Sequence, residues 1–205
     1  HQMAKVLKLE IGEQVELCDG KGINAQGKIT KLSKNSTIVE IEKITKESPT
    51  QKSITLFCAV LKKENFELVV QKTTECGIQK IIPIITTRTV KTGLNMERLQ
   101  KIAKEACEQS GRNYLPEIFE PITFEESLEK AKENELNIIF DASGELLGNL
   151  NDKSSIGIWI GPEGGWTPEE IKKATENKFS VASLGTNILR GETAAIIASY
   201  LAQNL

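Results

Sequence analysis

Hydrophobic and polar residues alternate near the start of the chain, and this alternation predicts β-strands. It runs through three segments, 14–18, 25–32 and 36–44. Gly27 breaks the second segment, and turn residues separate the three at 19–22 and around Asn35. Three strands bury too little apolar surface to be stable alone, so we expect other residues to cover their apolar face.

Beyond residue 47 the pattern changes to strands that alternate with helices. The segment 47–52 is the best linker, so we predict one domain at 1–47 and a second at 48–205. Apolar runs predict strands at 54–61, 80–85, 136–140 (ending at Asp141) and 156–160, and helical spacing predicts helices at 64–76, 95–112, 124–133, from 167 onward and at 192–203. Such alternation indicates an α/β domain with a mostly parallel sheet and helices on both faces.

Individual residues add local detail to these elements. Pro83 has no N–H to donate, so its strand is expected at a sheet edge or with a bulge. Asn95 can cap the helix that follows it. Glu105, Gln109 and Arg112 share one stripe of that helix, so we expect the three side chains to lie together.

Two glycine-rich turns each connect a buried-looking strand to a helix. The first, Gly161–Gly165, leads into a helix that Thr167 can cap, with Pro168 at its first position and Glu170 completing a capping box. The second turn, Gly185–Gly191, leads into the last helix. Glycine backbone at two adjoining strand ends admits a flat ligand, which favours a small-molecule site over a merely tight connection.

The composition of these turns restricts the class of ligand. No G-K-[ST] triplet follows the first turn, and neither turn is a G-x-G-x-x-G segment, so phosphate binding is not indicated. Backbone groups that recognise the edge of a base fit better.

The last helix, 192–203, is apolar almost all round and must therefore be buried. Its small residues permit close helix packing, either at a subunit interface or within its own domain. Glu192 lies in its first turn, where a carboxylate stabilises the helix dipole. That structural role competes with any catalytic one.

Composition excludes several classes of protein. No apolar run approaches the ~20 residues that span a bilayer, and no apolar segment of a signal peptide follows the start of the chain. The four cysteines (Cys18, Cys58, Cys76 and Cys107) form no C-x-x-C pair, and the single histidine is His1, so neither a zinc site nor histidine catalysis is expected. We interpret the cysteines as buried thiols of a reducing, cytoplasmic compartment.

Charge is distributed unevenly along the chain. The net charges are +1 over residues 1–47, +5 over 48–112 and −8 over 113–205. A nucleic-acid partner would therefore contact the first half. The alternative is a solvated face with clustered charge.

Several motifs together carry a family resemblance. They are VLKL at 6–9 with DGKG at 19–22, QKTTECG at 71–77, IPIITTR at 82–88, EACEQSGR at 105–112, IGPEGG at 160–165 and LGTNILRGETA at 184–194. With these the chain resembles, over essentially its whole length, the uracil-N3 methyltransferases of 16S ribosomal RNA, the RsmE family of the SPOUT class. Departures are Thr186-Asn187, where the family often has Pro-Arg, and Gly191, where Thr or Ala is common and glycine is expected to loosen the helix start.

The resemblance implies a fold and an activity. The fold would be a trefoil-knotted SPOUT methyltransferase domain preceded by a small PUA-like β-barrel, which looks incomplete at its N-terminus. The activity would be methylation of N3 of one uridine in 16S ribosomal RNA of the small subunit, with S-adenosylmethionine as methyl donor. A homodimer is implied, and neither a metal nor a membrane.

The resemblance also implies roles for individual residues. Arg190 would stabilise negative charge on the uracil oxygens, and Glu75, Glu105 and Glu192 are candidates for proton removal. The cofactor would contact Phe140, Asp141, Ile160, Gly161, Pro162, Glu163, Gly164, Gly165, Leu184, Gly185, Ile188, Leu189 and Arg190. RNA would contact Arg88, Arg112, Lys5 and Lys8. Each carboxylate could instead lie at the surface or cap a helix, and Arg88 and Arg112 could instead pair with a nearby glutamate.

Two rival functions remain at this point. The same fold could methylate another RNA, such as a tRNA nucleoside, which mapping of the modified position would decide. The protein could also be a non-catalytic RNA-binding module in which the glycine turns are structural. Failure to bind S-adenosylmethionine would favour that module.

Overall fold

The chain divides into two units, residues 1–49 and 50–205. The computed structural model describes residues 9–33, 36–48, 52–90, 93–148, 150 and 152–205, with the Lys63 side chain excepted. Lys5, Lys8, Asn35 and part of the predicted linker lie outside the described residues. None of the helices in the described ranges is long and apolar enough to span a bilayer.

The first unit contains an antiparallel sheet of three strands, β1 (Gln14–Cys18), β2 (Ile23–Leu32) and β3 (Thr37–Lys46), in the order β1-β2-β3. The predicted break at Gly27 is wrong, because β2 continues through that residue. The register shifts between Gln26 and Gly27, and a Cβ at Gly27 would lie 2.4 Å from Glu40 O. This glycine therefore permits a bulge where the strands approach closely.

Apolar side chains of this sheet remain exposed within the described part of the unit. Ile38 and Ile44 on β3 are 52% and 67% exposed, whereas Ile29 on β2 is buried. The strands thus bury only one large apolar side chain, Ile29, and leave much apolar surface open, as expected for three strands.

The second unit contains a sheet in which every pair of strands is parallel, in the order β10-β8-β9-β4-β5-β6, with β7 also paired to β5. Its elements are β4 (Ser53–Ala59), α1 (Lys63–Glu75), β5 (Lys80–Ile85), α2 (Met96–Ser110), β6 (Glu117–Ile118), β7 (Ile122–Thr123), α3 (Phe124–Lys130) with a 3₁₀ turn (Ala131–Glu133), β8 (Leu136–Leu146), β9 (Ser155–Ile160), α4 (Pro168–Glu176), β10 (Ser180–Ser183) and α5 (Gly191–Asn204). The predicted α/β fold with a mostly parallel sheet is confirmed.

Helices cover both faces of this sheet, as predicted. One core cluster joins alternate residues of β4, such as Leu56, to α1, α2 and α5. The other cluster joins the intervening residues of β4, such as Phe57, to α3 and α4. In the second cluster the Trp159 ring stacks on Phe57 with centroids 3.9 Å apart, and a Cβ at Gly157 would lie 2.4 Å from that indole.

Pro83 lies inside the sheet, so the expected edge position of its strand is wrong. β5 has β4 on one side and two short strands, β6 and β7, on the other. Ile81 O accepts a hydrogen bond from Phe119 on the β6 side, and residue 83 faces the same side because backbone groups alternate along a strand. The missing N–H of Pro83 thus faces the interruption between Ile118 and Ile122.

The strand predicted to end at Asp141 continues to Leu146. Two consecutive residues of β10, Val181 and Ala182, pair with Ile139 and Glu145 of β8. A Cβ at Gly144 would lie 2.6 Å from the Ala182 backbone, so glycine allows the rejoined strands to approach. The intervening residues, including Phe140 and Asp141, leave the pairing on that side.

Helix α2 begins as predicted but ends two residues earlier. Asn95 Oδ1 accepts a hydrogen bond from Arg98 N at 3.1 Å, and Gly111 ends the helix in the left-handed conformation, at φ 66°. Arg112 therefore leaves the predicted stripe with Glu105. Its Nη1 donates instead to Thr74 O at 2.9 Å.

Candidate active site

The bulge of β8 and the C-terminal ends of β9 and β10 meet at a pocket of about 790 Å³. Parallel neighbours end at the same edge of a sheet, so the chain segments that follow these strands lie side by side. The bulge of β8 contributes Phe140, Asp141 and Ala142 to the pocket wall. A ligand in this pocket would contact the bulge and two strand ends.

The structure brings together all thirteen residues that were predicted to contact a cofactor. Each lines this one pocket: Phe140, Asp141, Ile160, Gly161, Pro162, Glu163, Gly164, Gly165, Leu184, Gly185, Ile188, Leu189 and Arg190. Glu192 lines it as well. Residues far apart in the chain thus form a single concave surface.

The first turn is held in place by the protein's own side chains. A Cβ at Gly161 would lie 3.1 Å from the Trp166 ring, and Trp166 Nε1 donates to Phe140 O at 3.0 Å. Gly165 has φ 68°, and its N–H donates to Pro162 O at 2.8 Å. Gly161 therefore makes room for an indole, while Gly165 provides a conformation that other residues rarely adopt.

The helix after this turn starts as the sequence predicts. Thr167 Oγ1 accepts from Glu170 N at 3.2 Å, and Glu170 Oε2 accepts from Thr167 N at 2.8 Å. Pro168 occupies the first helical position, where no N–H is needed. The capping box fixes the end of the turn.

The second turn is more open. Gly185 has φ 126°, and apart from its chain neighbours no atom of the described residues lies within 4 Å of its Cβ position. Its N–H donates to Ser183 Oγ at 3.1 Å. Ile188 is 92% exposed. Gly191 is the first residue of α5, and a Cβ there would lie 3.0 Å from Leu61 Cδ2. Glycine at 191 thus has a packing reason, and the expected loosening of the helix start stays a prediction.

Glu192 is distinct among the charged residues of the pocket. It is only 7% exposed, and its Oε2 has no hydrogen-bond partner among the described residues. By contrast, Asp141 Oδ1 accepts from Ser143 N at 2.9 Å, and Glu163 Oε1 accepts from Lys62 N at 3.2 Å. A buried carboxylate oxygen without a donor is costly, so a ligand that donates a hydrogen bond or carries positive charge would be favoured here.

A buried thiol lies close to this carboxylate. Burial raises the pKa of the Cys58 thiol far above its usual range, and the Glu163 and Glu192 carboxylates raise it further. Cys58 is therefore neutral at physiological pH and unsuited to be a nucleophile. Cys107 is also buried, Cys76 is half-buried, and Cys18 is exposed, contrary to the expectation that all four are buried.

Other predicted site residues lie away from the pocket wall. Glu75 pairs with Lys72 Nζ at 2.9 Å, and Glu105 is an exposed residue 3.8 Å from Lys101 Nζ. Arg112 donates a hydrogen bond to Thr74 O near the end of α1, and burial lowers the pKa of its guanidinium.

Arg88 contacts the back of the first turn, where its Nη1 donates to Gly164 O and Trp166 O. It forms these backbone bonds instead of pairing with a glutamate.

The sequence analysis missed Lys62 and Asn65 in the pocket wall. Both follow β4, whose parallel pairing with β9 brings its end to the same edge of the sheet. An assignment of β4 and β9 as neighbours would have revealed them. Among the described residues no group of three or more His, Cys, Asp and Glu side chains could hold a metal ion.

Comparison with known proteins gives matches along the whole chain. Residues 46–203 match the family model of an RNA methyltransferase domain, and residues 3–48 match that of an RNA methyltransferase PUA domain. The chain is 35% identical over 208 residues to the ribosomal RNA small subunit methyltransferase E of Rickettsia conorii, which covers 97% of this chain and 83% of that protein. The protein of the same description from Synechocystis is 33% identical to this chain. That alignment covers 97% of this chain and 68% of the Synechocystis protein.

A solved structure shares the fold. The crystal structure of a ribosomal RNA small subunit methyltransferase E from Neisseria gonorrhoeae, bound to S-adenosyl methionine, aligns with a TM-score of 0.88 at 33% identity. The alignment covers 97% of this chain and 85% of that one. Both units of the chain therefore have counterparts in a single protein.

Proposed function

The chain belongs to the family of ribosomal RNA small subunit methyltransferase E, and on that premise we propose that it transfers a methyl group from S-adenosylmethionine to N3 of a uridine in 16S ribosomal RNA. The observation that carries this proposal is the pocket at three adjacent strands, bordered by two turns of glycine backbone. The substrate is part of the small ribosomal subunit, and the reaction takes place in the cytoplasm.

The pocket residues fit this cofactor on two counts. The Cβ positions of Gly165 and Gly185 face open space, so backbone can approach a planar adenine. The three carboxylates of the wall, Asp141, Glu163 and Glu192, suit a ligand with positively charged groups. When bound, S-adenosylmethionine supplies an activated methyl group on a positively charged sulfur.

Arg190 is suited to stabilise the charge that develops on the uracil. Removal of the N3 proton leaves negative charge on the ring oxygens, which a guanidinium can offset. Arg190 is exposed at the pocket rim, where it immediately precedes α5. That position allows it to meet a base that enters from solvent.

Glu192 is the best placed of the three candidate proton acceptors. Glu75 and Glu105 lie outside the pocket wall, whereas Glu192 lines it and has a free carboxylate oxygen. It would accept the N3 proton as the new N–C bond forms. A general base contributes typically ~10²–10⁴-fold, whereas alignment of the reactants can supply ~7–11 kcal/mol, so positioning by the two turns is the larger effect.

Finer features of the fold belong to the same proposal. The chain leaves β10 at one edge of the sheet and returns through 184–190, so that α5 packs near β4 and β9 at the centre. We infer that this return threads a trefoil knot of the SPOUT class. The first unit, which contains Lys5 and Lys8, would bind RNA as a PUA-like domain. Arg112 of the second unit would also contact RNA.

A homodimer is supported by the surface of α5. Tyr200 is 57% exposed, Ile196 and Ile197 are half-buried, and Leu68 on the neighbouring α1 is 38% exposed. A second copy would cover this apolar surface. Sedimentation equilibrium should give twice the mass of the chain, and a fully active monomer would contradict the dimer.

One experiment separates this function from its rivals. Unmodified small subunits are incubated with the protein and radiolabelled S-adenosylmethionine, and the labelled nucleotide is mapped by mass spectrometry. We expect label on N3 of a single uridine of 16S RNA. Label only on tRNA would indicate a different substrate, and absence of both label and cofactor binding would indicate a non-catalytic module.

A further inference from the structure

The segment that follows β5, residues 86–89, is bonded to the first turn and to the start of α4. Thr87 N donates to Glu170 Oε1 at 2.9 Å. Arg88 Nη1 donates to Gly164 O at 2.7 Å and to Trp166 O at 3.2 Å. Three hydrogen bonds therefore connect two segments almost eighty residues apart in the chain.

Arg88 fits the turn by shape as well as by charge. A Cβ at Gly164 would lie 3.3 Å from Arg88 Cδ and 3.4 Å from Arg88 Cβ. The stem of the arginine thus occupies the space that a side chain at 164 would need. Glycine at 164 makes room for Arg88 behind the turn.

Glu170 accepts hydrogen bonds from both of the connected segments. Its carboxylate is only 4% exposed, and its two oxygens accept from different segments, Oε1 from Thr87 N and Oε2 from Thr167 N. One buried carboxylate therefore fixes both the end of the turn and the segment that carries Arg88. Charge-assisted bonds of this kind are about twice as strong as neutral ones.

These contacts restrict the conformation of the pocket wall. The carbonyls of Gly164, in the turn, and of Trp166, directly after it, accept hydrogen bonds from the Arg88 guanidinium. Gly165, which lies between them, has φ 68° and borders the pocket. A turn whose carbonyls are held on both sides of that residue presents the same backbone to each ligand that enters.

We propose that Arg88 is a positioning residue that fixes the first turn of the pocket for an adenosyl ligand, and that it is not a contact to RNA phosphate. This rests on the proposed function for the identity of the ligand. Arg88 acts through the turn and touches no reacting atom.

The experiment compares Arg88→Ala and Arg88→Lys with a matched control, Arg98→Ala. Arg98 is also exposed, but it pairs with Glu67 at 2.6 Å. Calorimetry gives the dissociation constant for S-adenosylmethionine, and gel shift over a series of salt concentrations gives that for a small-subunit RNA fragment.

We expect both Arg88 variants to weaken cofactor binding about tenfold, which corresponds to about 1.4 kcal/mol. Lysine keeps the charge but lacks the planar fork that reaches two carbonyls, so it should not rescue binding. RNA affinity and its salt dependence should match the wild type. The Arg98→Ala variant should leave cofactor affinity unchanged.

A phosphate contact predicts the opposite pattern. Arg88→Ala would then weaken RNA binding and lower the salt slope by about 1, Arg88→Lys would restore much of the loss, and cofactor affinity would stay constant. That result would overturn the proposal.

Hydrogen exchange tests the same contacts without ligand. The Gly165 N–H bonds Pro162 O, so its exchange reports opening of the turn. It should exchange faster in both Arg88 variants and in Glu170→Gln, which loses one of two acceptors. Unchanged exchange would overturn the proposal even if the wild type bound the cofactor, whereas faster exchange with no cofactor binding by the wild type would overturn only the proposed function.

Discussion

The two turns that border the pocket differ in what surrounds them. Within the first turn, Gly161 makes room for Trp166, and the chain packs Arg88 against Gly164. In the second, Gly185 faces open space and Ile188 is 92% exposed. Glycine therefore serves side-chain packing at residues 161 and 164 of the first turn, whereas at residue 185 of the second turn it serves backbone conformation. The first turn is therefore constrained by more side-chain contacts than the second turn is around residues 185 and 188.

The largest expected effect comes from the end of the second turn. Arg190→Ala should lower single-turnover methyl transfer by about 10²–10³-fold, because a charged donor at the developing oxyanion is lost. Affinity for S-adenosylmethionine should stay within a few-fold of the wild type. Wild-type turnover by this variant would remove Arg190 from the reaction.

Glu192→Gln should give a loss of about 10²-fold or more, because the amide keeps the shape but cannot accept a proton. Cofactor affinity, measured by calorimetry, should change far less than turnover. Glu75→Gln is the matched control, since Glu75 lies outside the pocket wall and pairs with Lys72. If the control lost activity and Glu192→Gln did not, the proton acceptor would be elsewhere.

A substitution in the first turn should lower both the free energy of unfolding and the affinity for S-adenosylmethionine. In Gly161→Ala the new methyl group would lie 3.1 Å from the Trp166 ring, and overpacking of this kind destabilises by about 1–3 kcal/mol. Urea unfolding measures this, with Gly148→Ala as control because, in the part of the chain that the structure describes, nothing beyond its chain neighbours lies within 4 Å of that Cβ position. Equal effects in both variants would show that Trp166 does not constrain residue 161.

The smallest effect is expected at the exposed side chain of the second turn. Ile188→Ser should change the free energy of unfolding by less than about 0.5 kcal/mol, because the side chain is 92% exposed and packs on little of the protein. Cofactor affinity should nevertheless fall a few-fold if the ligand buries this side chain. A large loss of stability in denaturant unfolding would show that the second turn is as constrained as the first.

The elements that the sequence predicts well depend on neighbouring residues. The capping box of Thr167 and Glu170, the cap at Asn95 and the position of both turns follow from local chemistry. The family motifs likewise identified the thirteen residues that the fold gathers in one pocket.

The errors concern contacts between distant segments. The position of Pro83 inside the sheet depends on where β6 and β7 end, and the extension of β8 depends on its pairing with β10. The exception is Arg112, which leaves its predicted stripe because the adjacent Gly111 ends the helix. Of the three candidate carboxylates, only Glu192 lines the pocket, which the sequence could not determine because it requires knowing where each helix packs.

The most direct test of the pocket is a crystal structure of this protein grown with S-adenosylmethionine. We expect the adenosyl group between residues 161–166 and 184–190, with Glu192 Oε2 left unbonded by the cofactor and therefore able to accept the N3 proton. Ligand bound at another surface, with both turns closed over by the protein's own side chains at saturating concentration, would contradict the assignment of this pocket.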